Sequence, residues 1–534
     1  MPGRYETKYE VGQDNFKKFG MDAHHPVFWI TSGLVLIFVI GTLVAPEAAN
    51  SAFDGAKWWT IGKFDWLFML GGNIFVIFSL VLIFLPVGKI RLGGQDAKPE
   101  FGTWSWFAML FAAGMGIGLM FWSVAEPTAY FTGWYETPLG VEAETAEAAR
   151  MAMGATMFHW GLHPWAIYAV VALSLAFFAF NKGLPLTIRS AFFPMMGDRS
   201  WGPFGHVIDT IAVIATIFGL ATSLGFGASQ AAAGIGYVFD FEGGIGLQVA
   251  IITGVTAVAL ISVLRGMDGG VKLLSNINMS IAGLLMLFVF IVGSTGTILA
   301  TIGTTAGSYV ANVASLSVWW GRDDTAWMQG WTVFYWAWWI SWSPFVGMFI
   351  ARVSYGRTVR EFIIAVLLVP TVVTVVWMSV FGGSALDQIQ NGVGALAEGL
   401  GAVELAMFQM LENMPLTSIT SLVGTILVLV FFITSSDSGS LVIDAITAGG
   451  KVDAPVVQRV FWVIIEGVIA AALLFGGGDD ALGALQAAAI TVGLPFTLVL
   501  LVMCVSLYMG LEHERKYVLE GREEPGTGSG RPAE

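Results

Sequence analysis

Long apolar stretches follow one another along the chain, and short polar segments separate them. A helix needs about 20 apolar residues to cross the hydrocarbon core of a bilayer. Most of the stretches reach that length, which predicts an all-α polytopic membrane protein. Twelve spans are predicted, at residues 26–46, 66–88, 103–125, 151–181, 206–234, 246–264, 273–302, 326–351, 360–383, 413–440, 457–476 and 482–510.

Two of the predicted spans contain residues that interrupt a helix. The third contains glycine at alternate positions in residues 114–118, and each glycine costs a helix about 1 kcal/mol relative to alanine. The eighth contains Ser-Trp-Ser-Pro at residues 341–344. Interrupted helices at matching positions of two halves are typical of transporters built from inverted repeats, with a binding site at mid-membrane. The alternative for the glycines is a close-packing helix face.

These observations divide the chain into six parts. The predicted order is a cytoplasmic N-terminal segment (1–25), two peripheral spans (26–102), a first five-helix repeat (103–302), an outer connecting segment (303–325), a second five-helix repeat (326–510) and a short cytoplasmic tail (511–534).

Charge supplies the orientation. All but four of the 25 lysine and arginine residues lie in the termini or in loops that the twelve spans place on the same side as the termini. Because cytoplasmic loops of membrane proteins are rich in Lys and Arg, both termini are predicted to be cytoplasmic, in a bacterial inner membrane.

Composition agrees with a membrane domain and excludes other classes. The chain is 56% hydrophobic and only 12% charged, whereas about 25% charged residues is usual in a soluble protein. Its net charge is −13, and it has no basic block that would bind nucleic acid. We identified no nucleophile–base pair, metal-ligand cluster or cofactor motif, so no enzyme is predicted.

The most distinctive stretch is residues 330–345, GWTVFYWAWWISWSPF. Trp338, Trp342 and Phe345 are spaced i, i+4 and i+7, so they share one face of a helix. Indole faces attract cations, including quaternary ammonium groups. The sequence therefore favours an aromatic cage for such a cation. The alternative is a belt of tryptophans at the membrane–water interface.

Residues 330–339 also resemble the signature of the betaine/carnitine/choline transporters, and the resemblance extends over about residues 25 to 510. It implies the LeuT-like fold with a 5+5 inverted repeat, secondary active transport and a homotrimer in the lipid bilayer.

The resemblance also implies which residues bind the substrate. Trp338, Trp339 and Trp342 would cage the onium group, and Trp336 would gate access to it. Backbone amides at Met115, Gly116 and Gly118 would approach the substrate carboxylate. The substrate pathway would be lined by Trp160, Trp165, Tyr168 and Phe334.

Na+ is the implied coupling ion, and no organic cofactor is expected. A first site would use the backbone at Ala112, Met115 and Phe431 with the side chains of Thr434 and Ser435. A second would use Thr216 and Phe345. Leu220 stands where the second site has its other threonine, and a leucine side chain cannot bind Na+.

The expected function is import of a quaternary-ammonium or sulfonium zwitterion, either glycine betaine or dimethylsulfoniopropionate, with Na+ symport. In the family, choline–proton importers tend to have Asp in place of Gly118, and sodium-independent carnitine exchangers have a basic residue in the fifth span. Here the fifth span is neutral. A proton-coupled choline importer, a carnitine-type exchanger and an onium-selective channel remain alternatives. Glu466, a carboxylate inside the eleventh span, has no assigned role.

Overall fold

The structure is a computed structural model, and it describes residues 5–114, 116–241, 243–265 and 271–522. Most of these residues lie in helices joined by loops, and two strands near the N terminus form an antiparallel hairpin. The strands are β1 (Asn15–Lys18) and β2 (Met21–His24). The helices are α1 (His25–Val44), α2 (Pro46–Phe84), α3 (Thr103–Gly114), α4 (Ile117–Thr132), α5 (Ala146–Trp160), α6 (Leu162–Ala176), α7 (Phe193–Met196), α8 (Pro203–Phe239), α9 (Ile245–Arg265), α10 (Val271–Val292), α11 (Thr295–Ser317), α12 (Thr325–Trp327), α13 (Val333–Val353), α14 (Val359–Gln390), α15 (Ala406–Glu412), α16 (Thr417–Thr447), α17 (Val456–Gly477) and α18 (Ala481–His513).

The protein is a multi-pass membrane protein. Within the described ranges, ten helices are long and apolar enough to cross a bilayer, or eleven when the bent pair α3 and α4 counts as one span. The predicted eighth span, α13, is not among them. Its tryptophans, tyrosine and serines lower its hydropathy, and nearly all of its residues are buried against other helices. The predicted number of twelve spans therefore stays a prediction.

The interruption predicted in the third span is confirmed. Helix α3 ends at Gly114 and α4 begins at Ile117, with a bend of 68° between them. Irregular backbone at membrane depth is tolerated where it is buried in protein or lines a cavity. Backbone N–H and C=O groups at the break therefore lack helical hydrogen-bond partners and are available to bind a ligand.

The interruption predicted in the eighth span is wrong, since α13 is one continuous helix through Pro344. Proline has no N–H and leaves the carbonyl four residues earlier without its helical partner. Here that carbonyl belongs to Ile340, and the hydroxyl of Ser343 donates to it at 2.7 Å. The serine beside the proline thus replaces the missing backbone donor. The inference of a repeat from two matched breaks loses this support, and the repeat stays a prediction.

A break that the sequence analysis did not predict divides the fourth span. Helix α5 ends at Trp160 and α6 begins at Leu162, with Gly161 between them at φ −100° and ψ −129°. A Cβ atom on Gly161 would lie 2.6 Å from the carbonyl oxygen of Met157 and 2.8 Å from the hydroxyl of Tyr309. Only glycine fits this contact, and the hydroxyl of Tyr309 accepts a hydrogen bond from the backbone N–H of Leu162.

The segment between the two predicted repeats differs from the prediction in its bounds. The seventh span was predicted to reach residue 302, but α10 ends at Val292. The hydroxyl of Thr295 donates to the carbonyl of Phe290, and the separate helix α11 begins there. Residues 303–325 therefore start inside α11 instead of forming a connector of their own.

Both termini lie on the same face of the bundle. In the hairpin, the side chain of Asn15 donates to the carbonyl of Ala448, and Lys451 donates to Asp22 at 2.7 Å. The hydrogen bond to Asp22 raises the pKa of Lys451. At the other end of the chain, Glu514 accepts a hydrogen bond from Lys182 at 2.6 Å. Both chain ends thus cover the same set of loops.

Replacement of Ser343 by alanine tests whether its hydroxyl compensates for the N–H that Pro344 lacks. The variant leaves the buried carbonyl of Ile340 without a donor, and an unsatisfied buried acceptor costs about 1–3 kcal/mol. We expect Ser343→Ala to lower the melting temperature of the purified protein in detergent by several degrees.

Ser341→Ala is the matched control. Ser341 is also buried in α13, and its hydroxyl donates to the carbonyl of Ala337, which already accepts the helical N–H of Ser341. The loss there is expected to be smaller. Equal melting temperatures for the two variants would contradict the proposed role of Ser343.

Candidate functional site

The tryptophans of α13 face the interior of the bundle. Trp338 is 1% exposed, and Trp339 and Trp342 are each 4% exposed. Helix α13 packs against α6, α8 and α18. An interfacial belt would place these rings against lipid and water, so the structure excludes that alternative.

Four aromatic side chains from α5, α6 and α13 form what we call the aromatic box: Trp160, Trp165, Tyr168 and Trp339. Trp160 meets Trp339 edge to face, with ring centroids 4.9 Å apart and planes at 76°. Tyr168 meets Trp339 at 6.2 Å and 82° and meets Trp165 at 5.5 Å and 84°. Rings that meet at right angles can form adjoining walls of one binding site. The sequence analysis placed Trp160, Trp165 and Tyr168 along the substrate pathway, whereas Trp160 and Tyr168 contact the predicted cage residue Trp339 directly.

Trp338 supports the box from behind. It stacks on Phe334 at 5.5 Å and on Trp339 at 4.8 Å, with an angle of 15° in both pairs. Parallel neighbours therefore cover much of its π surface. Its indole N–H donates to Ser223 of α8 at 3.0 Å. Trp338 also meets Trp160 of α5 edge to face at 6.3 Å, whereas Trp339 contacts rings from both α5 and α6. The cage of Trp338, Trp339 and Trp342 stays a prediction.

Trp342 lies beside the break between α3 and α4. A Cβ atom on Gly116 would lie 3.5 Å from the ring of Trp342. The indole N–H of Trp342 donates to the carbonyl of Gly219 at 2.9 Å, and Phe345 packs on the ring at 5.5 Å. Trp342 thus connects the tryptophan-rich helix to the glycine break.

Trp336, which is predicted to gate access to the cage, packs against α2 and α6, and its gating role stays a prediction. Its ring stacks on His163 at 5.0 Å and 12° and touches Gly72 of α2. Its other described ring contacts are with Phe158 and His159, and none is with a residue of the box.

Gly118 is required by close packing. A Cβ atom there would lie 2.5 Å from the ring of Trp338 and 3.1 Å from that of Trp160. Any side chain, including the aspartate that the family's choline importers tend to have, would displace these rings. Gly116 precedes the first turn of α4, whose backbone N–H groups have no carbonyl partner within the helix. Met115, predicted to bind both substrate and Na+, lies outside the described residues.

The residues predicted for the first sodium site lie together in part. A Cβ atom on Gly116 would lie 3.9 Å from the hydroxyl oxygen of Ser435, so α16 faces the glycine break at this level. The hydroxyl of Thr434 donates to the carbonyls of Val430 and Phe431 within its own helix. Ala112 is half-buried near the end of α3. Hydroxyl and backbone oxygens are ligands that suit a hard cation, so the oxygen atoms of these residues are suitable ligands for Na+.

The second predicted sodium site has fewer suitable groups. Thr216 donates its hydroxyl to the carbonyl of Ala212. Leu220 packs its methyl groups against Gly439 of α16. The nearby Thr222 donates to the carbonyls of Phe218 and Leu485, so it faces α18. Phe345 contacts Trp342.

Glu126 of α4 is a residue that the sequence analysis missed. It is fully buried and contacts four side chains, one of which is Trp160 of the aromatic box. The available signal was a carboxylate inside an apolar span, the same signal that singled out Glu466. Glu466 itself accepts a hydrogen bond from Ser436 of α16 at 3.1 Å.

A cavity of about 380 Å³ opens on the face opposite the termini. Phe226 borders it and also meets Trp338 edge to face at 5.4 Å. The side chain of Phe226 therefore lies between this cavity and the ring of Trp338. Its other lining residues include Phe121, Ser229, Gln248 and Glu404.

Known proteins are similar to this chain over nearly its full length. Residues 26–516 match the model of the betaine/carnitine/choline family of transporters. Glycine betaine transporter 1 of Vibrio parahaemolyticus is 66% identical over 512 residues, which are 96% of this chain and 98% of that protein. The glycine betaine/proline/choline/ectoine transporter VP1456 of the same species is 59% identical over 95% of this chain and 91% of its own. The glycine betaine transporter OpuD of Bacillus subtilis is 45% identical over 92% of this chain and 95% of its own. The chain therefore belongs to the betaine/carnitine/choline transporter family, and it is a transporter and not an enzyme.

Proposed function

We propose that this transporter imports glycine betaine or a closely similar onium zwitterion such as dimethylsulfoniopropionate, coupled to Na+. The observation that carries the proposal is the aromatic box beside the glycine break of α3 and α4. Two of the relatives are named as glycine betaine transporters, which supports glycine betaine as the first substrate to test. The cytoplasmic location of both termini and a homotrimeric assembly belong to the same proposal.

The chemistry of the box suits a cation that forms no hydrogen bonds. The indole N–H groups of Trp160 and Trp339 in the box, and of their neighbours Trp338 and Trp342, donate to protein acceptors. The rings therefore present π surface and edges to a ligand instead of polar groups. A trimethylammonium group has a permanent charge and no N–H, so cation–π attraction is the interaction available to it.

Two sets of donors near the box suit the carboxylate of the same substrate. The buried hydroxyl of Tyr168 has no hydrogen-bond partner among the described atoms. The N-terminal amides of α4 lie beside Trp342, and the N terminus of a helix favours anions. A zwitterion with a short spacer would place its positive end on the rings and its negative end on these donors.

Na+ would be held by the hydroxyl of Ser435 with that of Thr434 and the backbone at the glycine break. When bound there, the cation would neutralise oxygen dipoles at the break and favour the backbone geometry that the substrate requires. Since both ligands would stabilise the same arrangement of α4 and α16, each would raise the affinity for the other.

The aromatic box is tested by replacing Trp339 with leucine. Loss of a desolvated cation–π contact costs about 2 kcal/mol, which corresponds to about a 30-fold change in affinity. We expect the KM for glycine betaine uptake into proteoliposomes to rise by about that factor for Trp339→Leu.

Trp336→Leu is the matched control, because this buried tryptophan lies on the same helix but has no described ring contact with the box. Its KM should stay within about threefold of wild type, with uptake normalised to folded protein. Equal KM changes for the two variants would contradict the assignment of the box.

The sodium site is tested by Ser435→Ala. Removal of one oxygen ligand should raise the Na+ concentration for half-maximal uptake several-fold, since an inner-shell oxygen is lost. Ser440→Ala is the control, because Ser440 is buried in the same helix and donates to the backbone carbonyl of Asp437.

The measurement is glycine betaine uptake into proteoliposomes as a function of external Na+, with K+ as the replacement ion. An imposed sodium gradient should drive accumulation above the external concentration, which a channel cannot do. Accumulation that is unchanged when K+ replaces Na+ would refute the coupling, and a sodium curve unchanged by Ser435→Ala would refute this site.

A further inference from the structure

A carboxylate lies within the membrane domain, immediately behind the aromatic box. Glu126 is 0% exposed and lies in α4, eight residues after Gly118. Burial of an ionised carboxylate is costly unless hydrogen bonds replace its water. Its oxygen Oε1 contacts the hydroxyl of Tyr130 at 2.9 Å and Nδ1 of His159 at 2.8 Å. Oε2 contacts Nε1 of Trp160 at 2.7 Å and the hydroxyl of Tyr335 at 2.6 Å.

These contacts fit the ionised form of Glu126. An indole N–H only donates, and a phenol donates readily to a carboxylate. Nε2 of His159 lies 3.0 Å from the hydroxyl of Thr332. We therefore assign a neutral imidazole whose Nδ1–H donates to Glu126 and whose Nε2 accepts from Thr332. All four neighbours of the carboxylate then act as donors, and each bond is charge-assisted.

No lysine or arginine in the described ranges forms an ion pair with this carboxylate, whose one ion-pair neighbour there is His159. With His159 neutral, the negative charge of Glu126 has no protein cation to compensate it. Attraction between opposite charges is much stronger in a low-dielectric interior than in water. Arg322, whose charge acts on His159, is itself paired with Asp324. A permanent cation in the aromatic box would add a positive charge separated from Glu126 by the indole of Trp160.

Hydrogen bonds link Glu126 to two walls of the box. It accepts directly from the indole of Trp160. It also holds His159, whose backbone carbonyl accepts the indole N–H of Trp339 at 2.9 Å. Trp160 and Trp339 are the pair that meets edge to face at 4.9 Å. Donation of an indole N–H to an anion also increases the electron density of the ring, which strengthens its attraction for a cation.

We propose that Glu126 is a positioning residue that orients Trp160 and Trp339 and supplies the negative charge that makes the box prefer an onium group to an uncharged group of the same shape. This inference rests on the proposed function of the aromatic box. The competing account is structural, in which Glu126 only joins α4 to α5 and α13. The structural role predicts less folded protein, and the positioning role predicts a change in ligand affinity.

The test is Glu126→Gln in the full-length protein, with uptake kinetics normalised to folded transporter. Two ligands are compared: glycine betaine, and its tert-butyl analogue, in which carbon replaces the ammonium nitrogen, assayed as a competitive inhibitor. Loss of the charge should raise the KM for glycine betaine about tenfold, while Vmax per folded molecule changes by less than about threefold. The analogue is a carboxylate without a positive charge, so loss of the Glu126 charge should not weaken its binding, and its inhibition constant should rise by less than about threefold.

Tyr130→Phe is the matched control, since it removes one donor to Glu126 but keeps the charge and the bond to Trp160. Both ligands should then keep affinities within about threefold of wild type. A wild-type KM in Glu126→Gln, or equal weakening of glycine betaine and the tert-butyl analogue, would overturn the proposal.

A second variant covers the case in which Glu126→Gln does not fold. Trp160→Phe keeps an aromatic wall but lacks the N–H that donates to Glu126, so the KM for glycine betaine should rise while the tert-butyl analogue is affected less. An unchanged KM in this variant would refute the proposal. Failure of wild-type protein to take up glycine betaine would instead refute the proposed function itself.

Discussion

Hydrogen bonding of indole N–H groups within the membrane determines how the central aromatic rings are oriented. Water does not reach this part of the bundle to satisfy a donor, so a bonded N–H fixes the plane of its ring. Trp160, Trp338, Trp339 and Trp342 donate to a carboxylate, a serine hydroxyl and two backbone carbonyls on other helices. The buried indole N–H of Trp336, whose ring stacks on His163, has no partner among the described atoms. The indole N–H groups of these four tryptophans are thus bonded to protein, and the π surfaces of the rings are left to contact a ligand.

Glycine allows the helices that carry these groups to approach one another. The break between α3 and α4 places Gly116 against Trp342, while Gly118 gives the rings of Trp338 and Trp160 the volume that a side chain would occupy. Gly161 separates α5 from α6 between Trp160 and the pair Trp165 and Tyr168. Two broken spans and one continuous tryptophan-rich helix therefore form the site.

Much of this arrangement was predictable, and the failures have specific physical reasons. Length and hydropathy predicted the helices, and alternate glycines predicted the break at residues 114–118. The break expected at Pro344 was wrong because one hydroxyl, that of Ser343, satisfies the carbonyl that proline leaves free. Which tryptophans face one another depends on rotamers and on acceptors contributed by distant helices, which helical spacing does not specify. Glu126 was missed because its partners, His159 and Tyr335, are remote in sequence, although a carboxylate in an apolar span was a usable signal.

The central claim is that a permanent cation binds in the aromatic box. The most direct measurement is anomalous diffraction from crystals grown with the selenium analogue of dimethylsulfoniopropionate, whose selenium carries the fixed positive charge. The account predicts one selenium peak within about 6 Å of the ring centroids of both Trp160 and Trp339, the range of cation–π contacts. A peak beside Trp336, or only in the cavity near Glu404, would contradict it.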